Sequence, residues 1–158
     1  ATFKCNFNET KRKFYRAANS ILSKLDSNYN DTRKLHLISS IALPVLTYAS
    51  EAMLLNKSEI CSLDHPWSSI FGKIFKTYDS NVIKACQQMN YLPLKHLYNI
   101  KCMQFMLKLQ DTGNSILQLF YKQDINVFVA KAAKIYNCET KVFMILYKYV
   151  ITKYFDNE

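Results

Sequence analysis

Lys11-Arg12-Lys13-Phe14-Tyr15-Arg16-Ala17-Ala18-Asn19-Ser20-Ile21-Leu22-Ser23-Lys24-Leu25 interleaves two chemistries with a helical period. Phe14, Ala17, Ala18, Ile21, Leu22 and Leu25 recur at three- and four-residue steps and make one apolar stripe. Side chains at those steps share a helix face, so Lys13, Arg16, Ser20 and Lys24 also fall within a narrow arc, with Arg12 and Asn19 beside it. The spacing predicts a helix over about 8–25 with one apolar and one cationic side.

The same period continues outward from this segment. Asp26 to Asn30 is turn-rich, and Asp31 is expected to cap a second helix over Thr32 to Leu55. Ile38, Ile41, Val45, Tyr48 and Ala52 should form one continuous face of it, and Pro44 should bend or divide it. A third helix, Lys57 to Thr77, is expected to break near His65-Pro66, with Pro66 opening a new helix and Asp64 near its N-terminus. Ser80 should cap a short helix ending before Asn90, and Pro93 should open another that runs to about Leu109. A turn around Gly113 then leads to helices over Ser115 to Lys134, with Asp124 a candidate break, and over Glu139 to Tyr154. No sustained β alternation appears. The expected fold is all-α, a compact bundle of about six to eight helices, with a boundary near Asp111 to Asn114 separating 1–110 from a C-terminal extension, 111–158.

Composition agrees with that class. A chain of 158 residues fits one domain, or one with a helical appendage, and is large enough to bury a core without metal or disulfides. Apolar residues at 49% and aromatics at 14% exclude a disordered chain, and two Gly with three Pro leave too few turn residues for a sandwich or barrel. Five cysteines, none in a CxxC pair, read as free thiols in a reducing compartment, hence an intracellular protein of nucleus or cytoplasm; two disulfides and a spare thiol in a secreted chain is the alternative. No apolar run approaches the roughly 20 residues of a membrane span, so no membrane partner is expected. Beginning at Ala1, the chain reads as a piece of a longer protein or a processed product.

Chemistry is hard to find. Metal-assisted phosphoryl transfer needs converging carboxylates, whereas the seven Asp residues (26, 31, 64, 79, 111, 124 and 156) are never adjacent and mostly sit at predicted caps and turns. No GxxxxGK[ST], GxGxxG or HExxH motif occurs. Cys61 and His65 are four apart but lack the second pair that a structural zinc site uses. His36, His65 and His96 are expected to be solvated or at the core edge. The expectation is therefore no enzyme, no catalytic residue, no metal and no cofactor.

The charge points to a partner. Residues 1–34 carry eight Lys/Arg against Glu9, Asp26 and Asp31, a net of +5 out of the chain's +9. A cationic strip on one helix face suits a phosphate backbone, although a merely solvated face has the same pattern. The candidate contacts are Lys11, Arg12, Lys13, Arg16, Asn19, Lys24, Arg33 and Lys34. Among nearby aromatics, Phe7, Phe14 and Tyr29 read as core, and Tyr15 is the candidate for stacking on a base.

Leu43-Pro44-Val45-Leu46-Thr47-Tyr48-Ala49-Ser50-Glu51, preceded by Lys34-Leu35-His36-Leu37-Ile38-Ser39-Ser40, resembles a helix downstream of the catalytic palm in non-LTR (LINE-type) retrotransposon reverse transcriptases. Lys13 to Ile21 is similar to that family's basic helix after the primer grip. Trp67, Phe71, Ile74 and Phe75 resemble its next helix, and Tyr91-Leu92-Pro93-Leu94 a later Leu-Pro helix start. The likeness covers about 8–110. It departs at Ala49, where Gly is frequent, and at Met53, where Trp is frequent. The resemblance implies a helical thumb closing on a template–primer duplex, with the basic helix along the backbone of an RNA–DNA hybrid. Neither the palm's catalytic aspartates nor the family's C-terminal zinc knuckle has a match in this chain, and 111–158 matches no part of the family.

Two functions follow as expectations. The first is a nucleic-acid-gripping module whose partner is an RNA–DNA hybrid, DNA or RNA backbone. The second is a recruited retroelement fragment that docks a protein partner or a second copy through its C-terminal helices. Val142, Phe143, Ile145, Leu146, Tyr149 and Val150 cover more than one helix face there.

Overall fold

Asn30, Asn56, Asp79 and Asn114 stand at helix starts, each side chain accepting an N–H group that a first helical turn leaves without an internal partner. The computed structural model describes residues 6–25, 28–53, 55–88, 91–110 and 112–141 with 143, 147, 150 and 151, the side chains of 88, 110 and 120–124 excepted. Among these the chain is all-α. Seven α-helices occur, α1 (Asn8–Lys24), α2 (Asp31–Ile41), α3 (Leu43–Leu46), α4 (Lys57–Phe75), α5 (Ser80–Gln88), α6 (Leu94–Gln110) and α7 (Ser115–Ile135), with a 3-10 turn at Ser50–Ala52 and no strand. Further helical residues lie between 140 and 151; the rest of the expected last helix, including Val142, Ile145, Leu146 and Tyr149, lies outside the described residues.

The chain divides into two units, one drawn from 1–49 and 55–95, the other from 50–54 and 96–158. The dividing line thus runs through α6, and the Gly113 turn lies inside the second unit. The 3-10 turn belongs to that unit, within which the Tyr98 hydroxyl donates to the carbonyl of Met53, the next residue, at 2.7 Å.

In the first unit α1 packs on α2, α3 and α4, and α5 packs on α4. Phe14 and Ala18 of α1 are buried with Leu35, Ile38, Leu46, Leu63 and Trp67 in one core. Trp67 meets Phe71 edge-on at 5.1 Å, a favoured aromatic geometry, and its Nε1–H donates to the Leu92 carbonyl at 3.1 Å. In the second unit Tyr98, Met103 and Met106 are buried, as are Ile125, Val129, Ala132 and Tyr136. Phe143, Tyr147 and Ile151 are buried at four-residue steps, one side of a helical turn.

Several local expectations are corrected. Asn30, not Asp31, caps α2 by accepting from Thr32 N–H at 2.8 Å. Asp79, not Ser80, accepts from Asn81 N–H at 2.8 Å at the start of α5. The second helix is divided at Ala42 and stops at Leu46, since Pro44 offers no N–H to the Ser40 carbonyl. The face expected to be continuous is broken with it: Ile41 is 55% and Tyr48 82% exposed. Conversely α4 runs unbroken through Pro66, whose ring is buried, and α7 runs unbroken past 124. Asp64 starts no helix of its own. Its Oδ1 accepts from Leu94 N–H at 2.7 Å, capping the first turn of α6 from a distance of 30 residues.

Candidate nucleic-acid interface

The buried stripe of α1 fixes where its cations go. With Phe14 and Ala18 held in the core, Arg12, Lys13, Arg16, Asn19, Ser20 and Lys24 are all exposed on the opposite side. Arg12, with its side chain 78% exposed, lies 3.7 Å from Glu9, a solvated pair of little energetic weight that holds neither side chain firmly. No other ion pair engages a ridge cation among the described residues.

The remaining candidates stand apart from the ridge. Lys11 is half-buried and donates to the Ser62 hydroxyl of α4. Arg33 is exposed on the first turn of α2. Lys34, only 12% exposed, pairs with Asp31 at 2.8 Å. Tyr15 is no open stacking platform: its hydroxyl lies 3.2 Å from Ser69 Oγ, and the Lys73 ammonium sits 5.6 Å from its ring centroid. A different lysine, Lys73 of α4, comes to the ridge, donating to Asn19 Oδ1 at 3.0 Å. The sequence places Lys73 in a helix's last turn, where the helix dipole favours a cation, but not beside α1.

Lys73 also lines a groove of about 530 Å³ between the C-terminal ends of α1 and α4 and the start of α2. Lys34, Lys76 and Asp31 line it as well, with Leu22, Leu25, Ile74 and Phe75 supplying apolar surface. Lys76 ends α4 in the left-handed region, φ 52°, its N–H donating to the Gly72 carbonyl.

The histidines and cysteines divide by burial. His36 and His65 are exposed, but His96 is wholly buried in the second unit, a correction to the expected solvated or core-edge placement. Its Nδ1 lies 3.0 Å from the Tyr136 hydroxyl, which accepts from Asn99 Nδ2 at 2.6 Å. The apolar character of the helix around position 96 hid this, because the partner lies 40 residues away. Cys61, Cys86, Cys102 and Cys138 are free thiols; Cys5 lies outside the described residues. Burial pushes the Cys102 thiol up to about 11, with Glu51 adding to the rise and a Tyr98 hydrogen bond opposing it. Among the described residues no group of three His, Cys, Asp or Glu could hold a metal ion, and no helix is long and apolar enough to cross a membrane.

No protein-family model, curated protein or solved structure matches this chain.

Proposed function

We propose that this chain is a non-catalytic module that grips the sugar–phosphate backbone of a nucleic acid, in the manner of a reverse-transcriptase thumb on an RNA–DNA hybrid. The observation that carries this reading is the exposure of Lys13, Arg16 and Lys24 along one side of α1, while the other side is fixed by packing on α2, α3 and α4. A rigid row of cations meets regularly spaced phosphates without ordering a loop on binding, which lowers the entropic cost. The sequence likeness of Lys13 to Ile21 and of Leu43 to Glu51 supports the same assignment.

The test is binding of labelled RNA–DNA hybrid and double-stranded DNA to the full chain, against Lys13→Glu combined with Arg16→Glu. Both side chains are exposed, so the variant keeps its core. Binding should be indifferent to sequence and fall at least tenfold in the variant; an unchanged affinity refutes the proposal.

A second reading, a protein-docking surface, is favoured by α7, where Ile116, Leu119 and Val127 are exposed. Light scattering at rising concentration tests self-association through it. A mass shift in the native chain that Val127→Lys removes is the expected result, and a monomer throughout counts against a second copy as the partner.

A further inference from the structure

The groove beside the ridge has a composition that a duplex backbone does not use. Phosphates of a double helix need cations on an open surface, whereas this depression couples cations to Leu22, Leu25, Ile74 and Phe75. Among its described lining residues the charge is unbalanced. Asp31 is matched by Lys34 at 2.8 Å, which leaves Lys73 and Lys76 as net positive charge. Its volume of about 530 Å³ falls within the range of about 300–1,000 Å³ usual for small-ligand sites. It is also continuous with the ridge, because the Lys73 ammonium that lines it donates to Asn19 of α1 at 3.0 Å.

We infer that the groove receives one unpaired nucleotide of the strand held along α1, its base against the apolar lining and its phosphate at Lys73 and Lys76. This rests on the nucleic-acid reading above and adds a preference to it. A base stacked and paired within a duplex cannot enter a groove, so the site selects a strand end or single-stranded overhang. Lys76 is held for this role by backbone geometry. It sits in the left-handed region at the end of α4, and Gly72 lets the Thr77 carbonyl cross the helix at a distance where a Cβ would meet it at 2.8 Å.

The experiment compares a blunt RNA–DNA duplex with the same duplex carrying a short single-stranded overhang, using the full chain and fluorescence anisotropy. The native protein should bind the overhang form about tenfold more tightly, the gain expected from one base contact. Lys76→Gly removes a groove charge while retaining the left-handed cap, and Leu25→Glu puts a carboxylate into the half-buried lining. Each should erase the overhang preference and change blunt-duplex affinity less than twofold, with the emission of buried Trp67 reporting an intact first unit. Adenosine monophosphate should bind more tightly than inorganic phosphate, and equal affinities would reduce the groove to an anion site and overturn the base contact. Equal binding of blunt and overhang forms, or groove variants that weaken both alike, overturns the inference and leaves the ridge reading standing. Failure of the native chain to bind either duplex overturns the ridge reading and the inference with it.

Discussion

Gly72 is a buried residue inside a helix, where alanine would ordinarily stabilise by about 1 kcal/mol. Here the sign reverses. A Cβ would lie 2.8 Å from the Thr77 carbonyl oxygen, a backbone atom that cannot rotate away. Gly72→Ala should lower stability by about 1–3 kcal/mol, read as a lower urea midpoint from Trp67 emission. Gly113→Ala meets nothing within 4 Å and serves as the control, neutral or slightly stabilising. Cys102 gives a prediction in pH. Its thiol is raised from 9.0 to about 11 in the folded chain, chiefly by burial, so the unfolded state loses the proton first. Stability from this group is fully present below pH 9 and is lost as pH rises through about 11. Urea unfolding of the second unit, followed by circular dichroism, should weaken over that window, and Cys102→Ala should remove this part of the slope. A slope identical in the variant would assign the loss to other groups.

At the scale of elements, α4 organises the first unit. The capping box at its start is complete: Asn56 N–H donates to Glu59 Oε2 and Glu59 N–H to Asn56 Oδ1, both at 2.9 Å. In mid-helix Asp64 accepts from the first N–H of α6 and from the Ser68 hydroxyl, so one carboxylate ties two helices together. Hydrogen bonds to a charged acceptor contribute about 1.5–3 kcal/mol, and Asp64→Ala should cost that much in thermal unfolding. Asp64→Asn, which keeps an acceptor, should recover roughly half; a fully stable alanine variant would show that the bond contributes nothing. These contacts explain why the expected break at Pro66 is absent. Proline removes a single helical bond, to the Ser62 carbonyl, while its buried ring and the neighbouring core residues Leu63, Trp67 and Ile70 keep the helix seated. Pro44 differs in that its ring is exposed; Ala42, Leu46 and Thr47 around it are buried, while Tyr48, central to the sequence likeness, is left exposed.

At the scale of the whole chain, a net charge of +9 makes some attraction to any polyanion inevitable, so affinity alone is a weak test. The salt dependence is sharper. Each phosphate neutralised contributes roughly 0.9 to the slope of log affinity against log salt on a duplex. Reversing Lys13 and Arg16 should therefore flatten that slope by about 2. Reversing Lys131 and Lys134, exposed on α7 of the second unit and no part of the ridge, changes net charge equally and should leave the slope nearly unchanged. Equal flattening in both variants would mean diffuse attraction rather than a ridge.

The amino-acid order alone determined the helical class, the position of α1 and which of its sides faces water, because a 3.6-residue period sorts apolar from charged side chains without any partner. It also located the turns, though not always the capping residue, since Asn30 and Asp31 are chemically near-equivalent acceptors one position apart. Tertiary structure alone decided what depends on distant residues meeting. Lys73 reaches Asn19 from 54 positions away, and His96 is buried against Tyr136. The continuity of groove and ridge exists only once α1 and α4 pack. Periodicity fixes a side chain's direction from its own helix, and only packing supplies the neighbour it meets.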